Sequence, residues 1–208
     1  LPSLSGGLRR LISPDCRHLW LLLYWPVFSL IFNYLENHFP AIYYYPMHCR
    51  LDDLIPFCEW FVIPYVLWFP FVAGMLVYTF RRKVPAFRRL MWFIILTYST
   101  ALLIYVLVPN CQHLRPVVFP RDNVLTRITA WLYASDTNTN VCPSIHVMGS
   151  LGVYFAARDV WRRRPLLRCL TLAAALLICV STVFMKQHSV LDVGAGALVS
   201  AVVWQLVY

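Results

Sequence analysis

LMWFIILTYSTALLIYVLVP, residues 90–109, runs for twenty positions without a charged side chain. At about 1.5 Å per residue, a helix of that length covers the roughly 30 Å hydrocarbon core of a bilayer. Five further stretches repeat the pattern at residues 18–38, 56–80, 144–157, 166–185 and 188–208. The segment at 144–157 is short, and its start is expected below the membrane surface. Pro26, Pro64 and Pro70 fall inside spans, where neighbouring helices can satisfy the carbonyls that proline frees. The first stretch is too long for a signal-peptide core and no small-residue cleavage site follows it, so it reads as a span.

Composition agrees. Of 208 residues, 60% are hydrophobic and 13% charged, against about 45–50% and about 25% in soluble chains. Intrinsic disorder, a disulfide-dense secreted fold and a collagen-like chain are excluded. The expected fold class is all-α, a polytopic membrane bundle of about six transmembrane helices forming one domain over residues 1–208.

The formal charge of +9 is unevenly placed. Arg9, Arg10 and Arg17 precede the first span; Arg81, Arg82, Lys83, Arg88 and Arg89 follow the second; Arg158, Arg162, Arg163, Arg164 and Arg168 follow the fourth. These segments hold 13 basic residues, and the alternate ones hold 5: Arg50, Arg115, Arg121, Arg127 and Lys186. The positive-inside rule then puts both termini in the cytoplasm. The basic runs read as topology determinants and lipid-headgroup contacts rather than a nucleic-acid footprint. Residues 8–12, Leu-Arg-Arg-Leu-Ile, fit either a short interfacial helix or a plain basic flank of the first span. Seven cysteines show no CxxC and no zinc-type spacing, so no metal is expected. Cys111 and Cys142 flank the long connection at 110–143, and a disulfide between them would pin that loop over whatever lies beneath it. Tyr43, Tyr44 and Tyr45 read as an interfacial aromatic belt, and Asp52, Asp53 and Glu59 as a solvated loop with a capped span.

Ionisable residues at membrane edges are costly and mark functional positions. Three clusters reach the non-cytoplasmic side. The first is Gln112-His113-Leu114-Arg115-Pro116. The second is Cys142-Pro143-Ser144-Ile145-His146, closing the loop-and-helix-start region 110–146. The third is Lys186-Gln187-His188-Ser189-Val190-Leu191-Asp192, within 181–192. His188 and Asp192 are four apart, a spacing that stacks them on one helix face. A carboxylate on one imidazole nitrogen fixes the tautomer and frees the other as nucleophile or base. Pro143 and Ser144 suit a helix start, whose free N–H groups favour an anion. The Ser144 hydroxyl adds a donor there, and His146 a proton. The guanidinium of Arg115 offers a bidentate grip on phosphate oxygens. Taken together these residues are equipped for phosphoryl transfer without a metal.

In this order the clusters resemble the three signature motifs of the type 2 phosphatidic acid phosphatase superfamily. Arg115-Pro116 matches the end of the first motif, and Pro143, Ser144 and His146 match the second in full. The third motif is Ser-Arg, five residues, His, three residues, Asp; here it runs from Ser181 through His188 to Asp192. Val108 stands where the family's first-motif lysine is expected and Thr182 where its third-motif arginine is. Lys186 is the candidate replacement charge, with Gln112 or Gln187 as neutral donors. These departures point toward the branch resembling sphingomyelin and inositol phosphorylceramide synthases. The resemblance implies a metal-independent lipid phosphatase in which His188 forms a phosphohistidine, Asp192 orients it, and His146 serves as acid and then base. Arg115, Ser144, Lys186 and Gln112 would hold the phosphate. The implied substrate is a membrane lipid phosphate such as phosphatidate, lysophosphatidate, phosphatidylglycerophosphate or a polyprenyl diphosphate. No cofactor is implied, and the site would face the non-cytoplasmic side, of the plasma membrane by expectation. Two alternatives stand beside it: a phospho-headgroup transferase, and a non-catalytic lipid binder or transporter.

Overall fold

The computed structural model describes residues 14–39 and 41–208, with side chains from residue 18 onward. The stretch 8–12, Arg9 and Arg10 lie outside the described residues, as does the side chain of Arg17.

A 3-10 segment, Pro14–Leu23, leads into α1, Tyr24–Asn37. The change of helix type has a local cause. Pro26 has no N–H to give and its ring crowds the carbonyl four residues back, so the α-helix begins where Pro26 falls in its first turn. Two-residue strand β1, Tyr45–Pro46, and the short helix α2, Arg50–Leu54, follow. A 3-10 turn, Glu59–Phe61, then opens α3, Val62–Arg82, which again carries a proline, Pro64, in its first turn. Helix α4 spans Val84–Leu107 with Pro85 at its start. Beyond it lie strand β2, Asn110–Cys111, and helices α5, Val124–Ser135; α6, Ile145–Val160; α7, Pro165–Phe184; and α8, Val190–Val207. Strands β1 and β2 pair in parallel, Tyr45 beside Asn110 and Pro46 beside Cys111.

The chain is an all-α bundle, and among the described residues five helical segments are long and apolar enough to cross a membrane: His18–Asn37, Glu59–Arg82, Val84–Leu107, Pro165–Phe184 and Val190–Val207. The sixth expected span is α6, which has only 16 residues, about 24 Å of helix. It lies at the centre of the bundle, packed against α3, α4, α7 and α8. Along it Val147, Met148, Gly149, Ser150, Gly152, Val153, Ala156 and Ala157 are buried. Small residues let the neighbours approach: a Cβ on Gly149 would sit 2.7 Å from the Tyr98 hydroxyl and 2.9 Å from the Trp68 indole nitrogen. Helix α4 answers with Phe87, Leu90, Met91, Ile94, Tyr98, Ala101 and Tyr105, all buried at helical spacing.

The outer faces are apolar as well. Leu30, Leu103, Leu170, Leu198 and Leu206 are each more than half exposed. Soluble monomers do not display contiguous apolar surface on that scale, whereas hydrocarbon solvates it at no cost.

Candidate active site

Alternating helices bring the C-terminal ends of α1, α4 and α7 and the N-terminal ends of α3, α6 and α8 to one end of the bundle. A cavity of about 350 Å³ opens there, lined from α1 by Phe32 and Glu36, from α3 by Tyr65, Trp68 and Phe69, and from α6 by His146. Gln187 and His188 complete it from the turn before α8, with Asp136 and Thr137 closing it above. An apolar groove of about 230 Å³ between α1 and α3, lined by Trp25, Val72, Ala73 and Leu76, meets this cavity at Trp68 and Phe69.

His188 is fixed by its backbone before its side chain matters. The C-terminus of α7 closes as Thr182 O accepts the amides of Gln187 (3.0 Å) and His188 (3.1 Å), with Lys186 in the left-handed conformation at φ 52°. His188 lies outside the helix, contrary to the expectation of a shared helical face, because α8 starts at Val190 with Ser189 as its cap. The contact survives through a capping box. The Asp192 carboxylate accepts the Ser189 amide at 2.8 Å and lies 3.3 Å from His188 Nδ1. The other oxygen, Oδ1, is buried without a partner. The Ser144 amide donates to the Asp192 carbonyl (3.2 Å), tying the start of α6 to this turn.

His146 is held by contact alone. Its ring stacks on Tyr65 at 4.5 Å and leans on Trp68 at 4.4 Å, and its centroid is 5.8 Å from that of His188. Neither ring nitrogen has a hydrogen-bond partner. An imidazole left free at both nitrogens and packed edge-on against a second imidazole at the cavity wall is placed to give and take protons.

The four residues assigned to the phosphate are arranged differently from expectation. Arg115 directs all five of its N–H groups at protein. Its Nε and Nη2 donate to Gln187 Oε1 at 3.1 and 2.6 Å, Nη1 to the carbonyls of Tyr133 and Asp136 at 3.1 and 3.0 Å, and Nη2 to that of Thr137 at 2.7 Å. It lies over the Tyr133 ring and does not line the cavity. Here the guanidinium shapes the turn at 133–137 and orients Gln187. Lys186 Nζ donates to the Asp52 carbonyl at 2.7 Å, away from the cavity lining, and burial holds its ammonium below the usual range. The Ser144 hydroxyl is buried and unpartnered but is not part of the cavity wall. Gln112 accepts the Leu114 amide at 2.6 Å, and its Nε2 is buried without a partner, again off the cavity. Two residues of the lining carry a buried, unpartnered N–H: Gln187 at Nε2, and Trp68 at Nε1, which packs toward Gly149 of α6.

Asp52 is buried and belongs to the scaffold rather than to a solvated loop. Its carboxylate accepts Ser189 Oγ at 2.6 Å and the Val190 amide at 2.8 Å, anchoring α2 to the start of α8. Glu59 is buried too, and accepts from Arg121 and Asn123. Of the three loop acids only Asp53 matches expectation, pairing with His48 at the surface.

No disulfide joins Cys111 and Cys142, both thiols being free. Cys111 sits in β2 with its sulfur near Tyr44 and His113. Burial, with the Asp192 carboxylate beside it, pushes the Cys142 thiol up to about 12. What pins the loop is Asn110, fully buried. Its Nδ2 donates to Val108 O and Cys142 O at 2.9 Å, and its Oδ1 accepts the amides of Val141 and Cys142 at 2.8 Å. The loop also contains α5, capped by a reciprocal Asn123–Thr126 box. The Asn123-x-x-Thr126 spacing could have signalled it.

Two residues absent from the sequence-based site stand on the cavity wall: Glu36 and Asp136. Thr137 Oγ1 donates to Glu36 Oε1 at 2.9 Å, joining α1 to the loop, and neither acid forms a salt bridge among the described residues. Burial raises the Asp136 carboxyl above its usual range, opposed by the Arg115 guanidinium. Among the described residues no group of three or more His, Cys, Asp and Glu is placed to hold a metal ion.

Compared with protein-family models, curated proteins and solved structures, the chain matches none.

Proposed function

We propose that this chain is an integral-membrane enzyme of six spans with both termini in the cytoplasm, transferring a phosphoryl group of a membrane lipid through a phosphohistidine, with water as the acceptor. The observation that carries the reading is one cavity holding two imidazoles of opposite character: His188 with Asp192 at its Nδ1, and His146 with both nitrogens free. Asp192 holds the proton on Nδ1 and leaves Nε2 of His188 a lone pair for phosphorus. The N–P bond forms as the bond from phosphorus to the leaving oxygen breaks, and His146 protonates that oxygen. In the second half His146 takes a proton from water, whose oxygen bonds phosphorus as the N–P bond breaks. Gln187 Nε2, in the residue next to His188, is the donor for phosphoryl oxygens. Arg115 acts through Gln187 as a positioning residue. The motif resemblance to type 2 phosphatidic acid phosphatases supports the roles given to His188, Asp192 and His146. The apolar groove meeting the cavity at Trp68 and Phe69 supports a substrate whose tail stays in the bilayer. The site then faces the non-cytoplasmic side, of the plasma membrane in the simplest case.

A second reading has its own observation. The cavity presents Glu36 and Asp136 where a phosphomonoester would call for cations, and Arg115 and Lys186 are bonded elsewhere. A phosphodiester carries less charge, so a lipid alcohol in place of water as acceptor makes the chain a phospho-headgroup transferase.

Product analysis in chelator tests both. Purified wild type and His188→Ala are given lipid phosphates and phospholipids, with and without diacylglycerol or ceramide. Free phosphate from wild type alone is expected for the phosphatase, and a new headgroup-bearing lipid formed only with acceptor for the transferase. Turnover by His188→Ala would sink the mechanism, and silence from both proteins would favour a lipid binder or transporter.

A further inference from the structure

At the end of the bundle opposite the histidines, a cavity of about 330 Å³ opens where α4, α6 and α8 meet the start of α7. That volume suits a small headgroup, ligand pockets running from about 300 Å³ upward. Its wall holds four arginines: Arg89 of α4, Arg158 of α6, Arg162 of the turn that follows, and Arg168 of α7. Asp159 is the one acid among the lining residues, which leaves the wall with a net charge of +3.

Asp159 arranges two of these cations. Its side chain is 13% exposed, and its two oxygens accept one bond each, from Arg89 Nη1 at 2.8 Å and Arg162 Nη2 at 3.0 Å. One carboxylate thus draws guanidinia from separate elements to a single wall and leaves most of their N–H groups unbonded to protein. Arg158 lies over the Trp204 ring of α8, its Cζ 5.7 Å from the ring centre, a cation–π contact that steadies the side chain. Arg168 stands in the first turn of α7, which holds no acid and where the helix dipole adds further positive charge. Neither Arg158 nor Arg168 forms an ion pair among the described residues. Four like charges on one wall repel, and a single acid does not balance them. An anion from outside the chain does, and the forked guanidinium suits the oxygens of a phosphate.

The neighbouring surface points to where that phosphate comes from. Beyond Arg89 the same face of α4 continues as Trp92, Leu96 and Leu103, at helical spacing and all exposed. In a bilayer this stripe meets acyl chains, and it begins at the arginines. We propose that the cavity is a second lipid site, separate from the histidine cavity, which holds the phosphomonoester headgroup of an anionic phospholipid with its chains along α4. Arg158 and Arg168 take the phosphoryl oxygens, while Arg89 and Arg162 add donors from positions that Asp159 fixes. No histidine or cysteine stands among the lining residues, and the site binds its lipid without transforming it. Under the orientation proposed above it lies in the cytoplasmic leaflet, whose own surface is negative.

Counting bound lipid on the intact chain tests this. The full chain in maltoside micelles is titrated with a phosphonate analogue of phosphatidate, whose P–C bond survives the histidine cavity, and bound molecules are counted by native mass spectrometry. Wild type is expected to hold one more molecule than Arg158→Gln/Arg168→Gln, whose affinity for that extra molecule falls at least about tenfold with the loss of charge-assisted hydrogen bonds. Arg82→Gln/Arg163→Gln removes the same charge from the same end outside the cavity, and should keep both the count and the affinity. An equal fall in the two double variants, or a fall in neither, overturns the proposal. Competition on wild type needs no variant. Phosphatidylcholine should not displace the extra molecule, and inorganic phosphate should do so only at concentrations at least about tenfold higher. Displacement by phosphatidylcholine at equal concentration refutes anion recognition, and displacement by inorganic phosphate at equal concentration overturns the lipid assignment. The histidine cavity is intact in all three proteins, so these outcomes are independent of the phosphohistidine reading.

Discussion

The two ends of the bundle carry similar residue types and use them in opposite ways. At the cavity end, Arg115 makes five hydrogen bonds and Asn110 four, six of the nine to backbone of distant segments. At the other end Arg81, Arg82, Lys83, Arg162, Arg163 and Arg164 are exposed. The ion pairs there among the described residues both converge on Asp159, from Arg89 and Arg162. An arginine that is bonded throughout holds geometry, and one that is solvated contributes charge to the membrane surface. Counting cations therefore locates the basic face of this protein and says nothing about where a substrate phosphate binds.

The contrast can be broken at either end. The largest effect is expected inside the cavity. His146→Ala should lower turnover by about 10²–10⁴-fold, with lipid affinity retained because neither ring nitrogen bonds to protein. Steady-state kinetics beside direct binding checks this, and a parallel loss of affinity would deny His146 its acid–base role.

Next comes the stitching of the loop. Asn110→Ala strands two amides and two carbonyls, and a loss of about 2–4 kcal/mol is expected from denaturant titration in micelles. An unchanged midpoint would mean that the β1–β2 pairing, not Asn110, holds this segment. A smaller cost, about 1–3 kcal/mol, attends Gly149→Ala, whose methyl group meets Tyr98 and Trp68. Thermal unfolding reads it, and activity should fall further than stability because Trp68 also supports His146. At the basic end Arg162→Ala should stay within about 0.5 kcal/mol in the same assay, an exposed pair being worth little. A larger loss would put that end among the bonded regions.

Much of the fold was legible. Residues 166–185 and 188–208 became Pro165–Phe184 and Val190–Val207 because a long apolar run in lipid has helix as its one satisfied backbone form. Prolines near span starts moved the helix boundaries by a few positions, as at Pro26, which local sterics explain. Of the site, the Ser189–Asp192 box and its neighbour His188 were readable because they are contacts over three and four residues. The expected helical stacking missed that His188 stands before the helix, with Ser189 as its cap and Asp192 in its first turn.

What the sequence by itself determined was therefore short-range: which segments are helices, where they stop, and which motif residues reach one end of an alternating bundle. Tertiary structure alone decided what those residues do there. Thr137 meets Glu36 across 101 positions, Lys186 meets Asp52 across 134, and Arg115 meets Gln187 across 72. Spacing cannot announce such pairs, and each changes the chemistry. Two acids entered the cavity and two cations were bonded away from it, because a buried donor takes whichever carbonyl the packing leaves within reach.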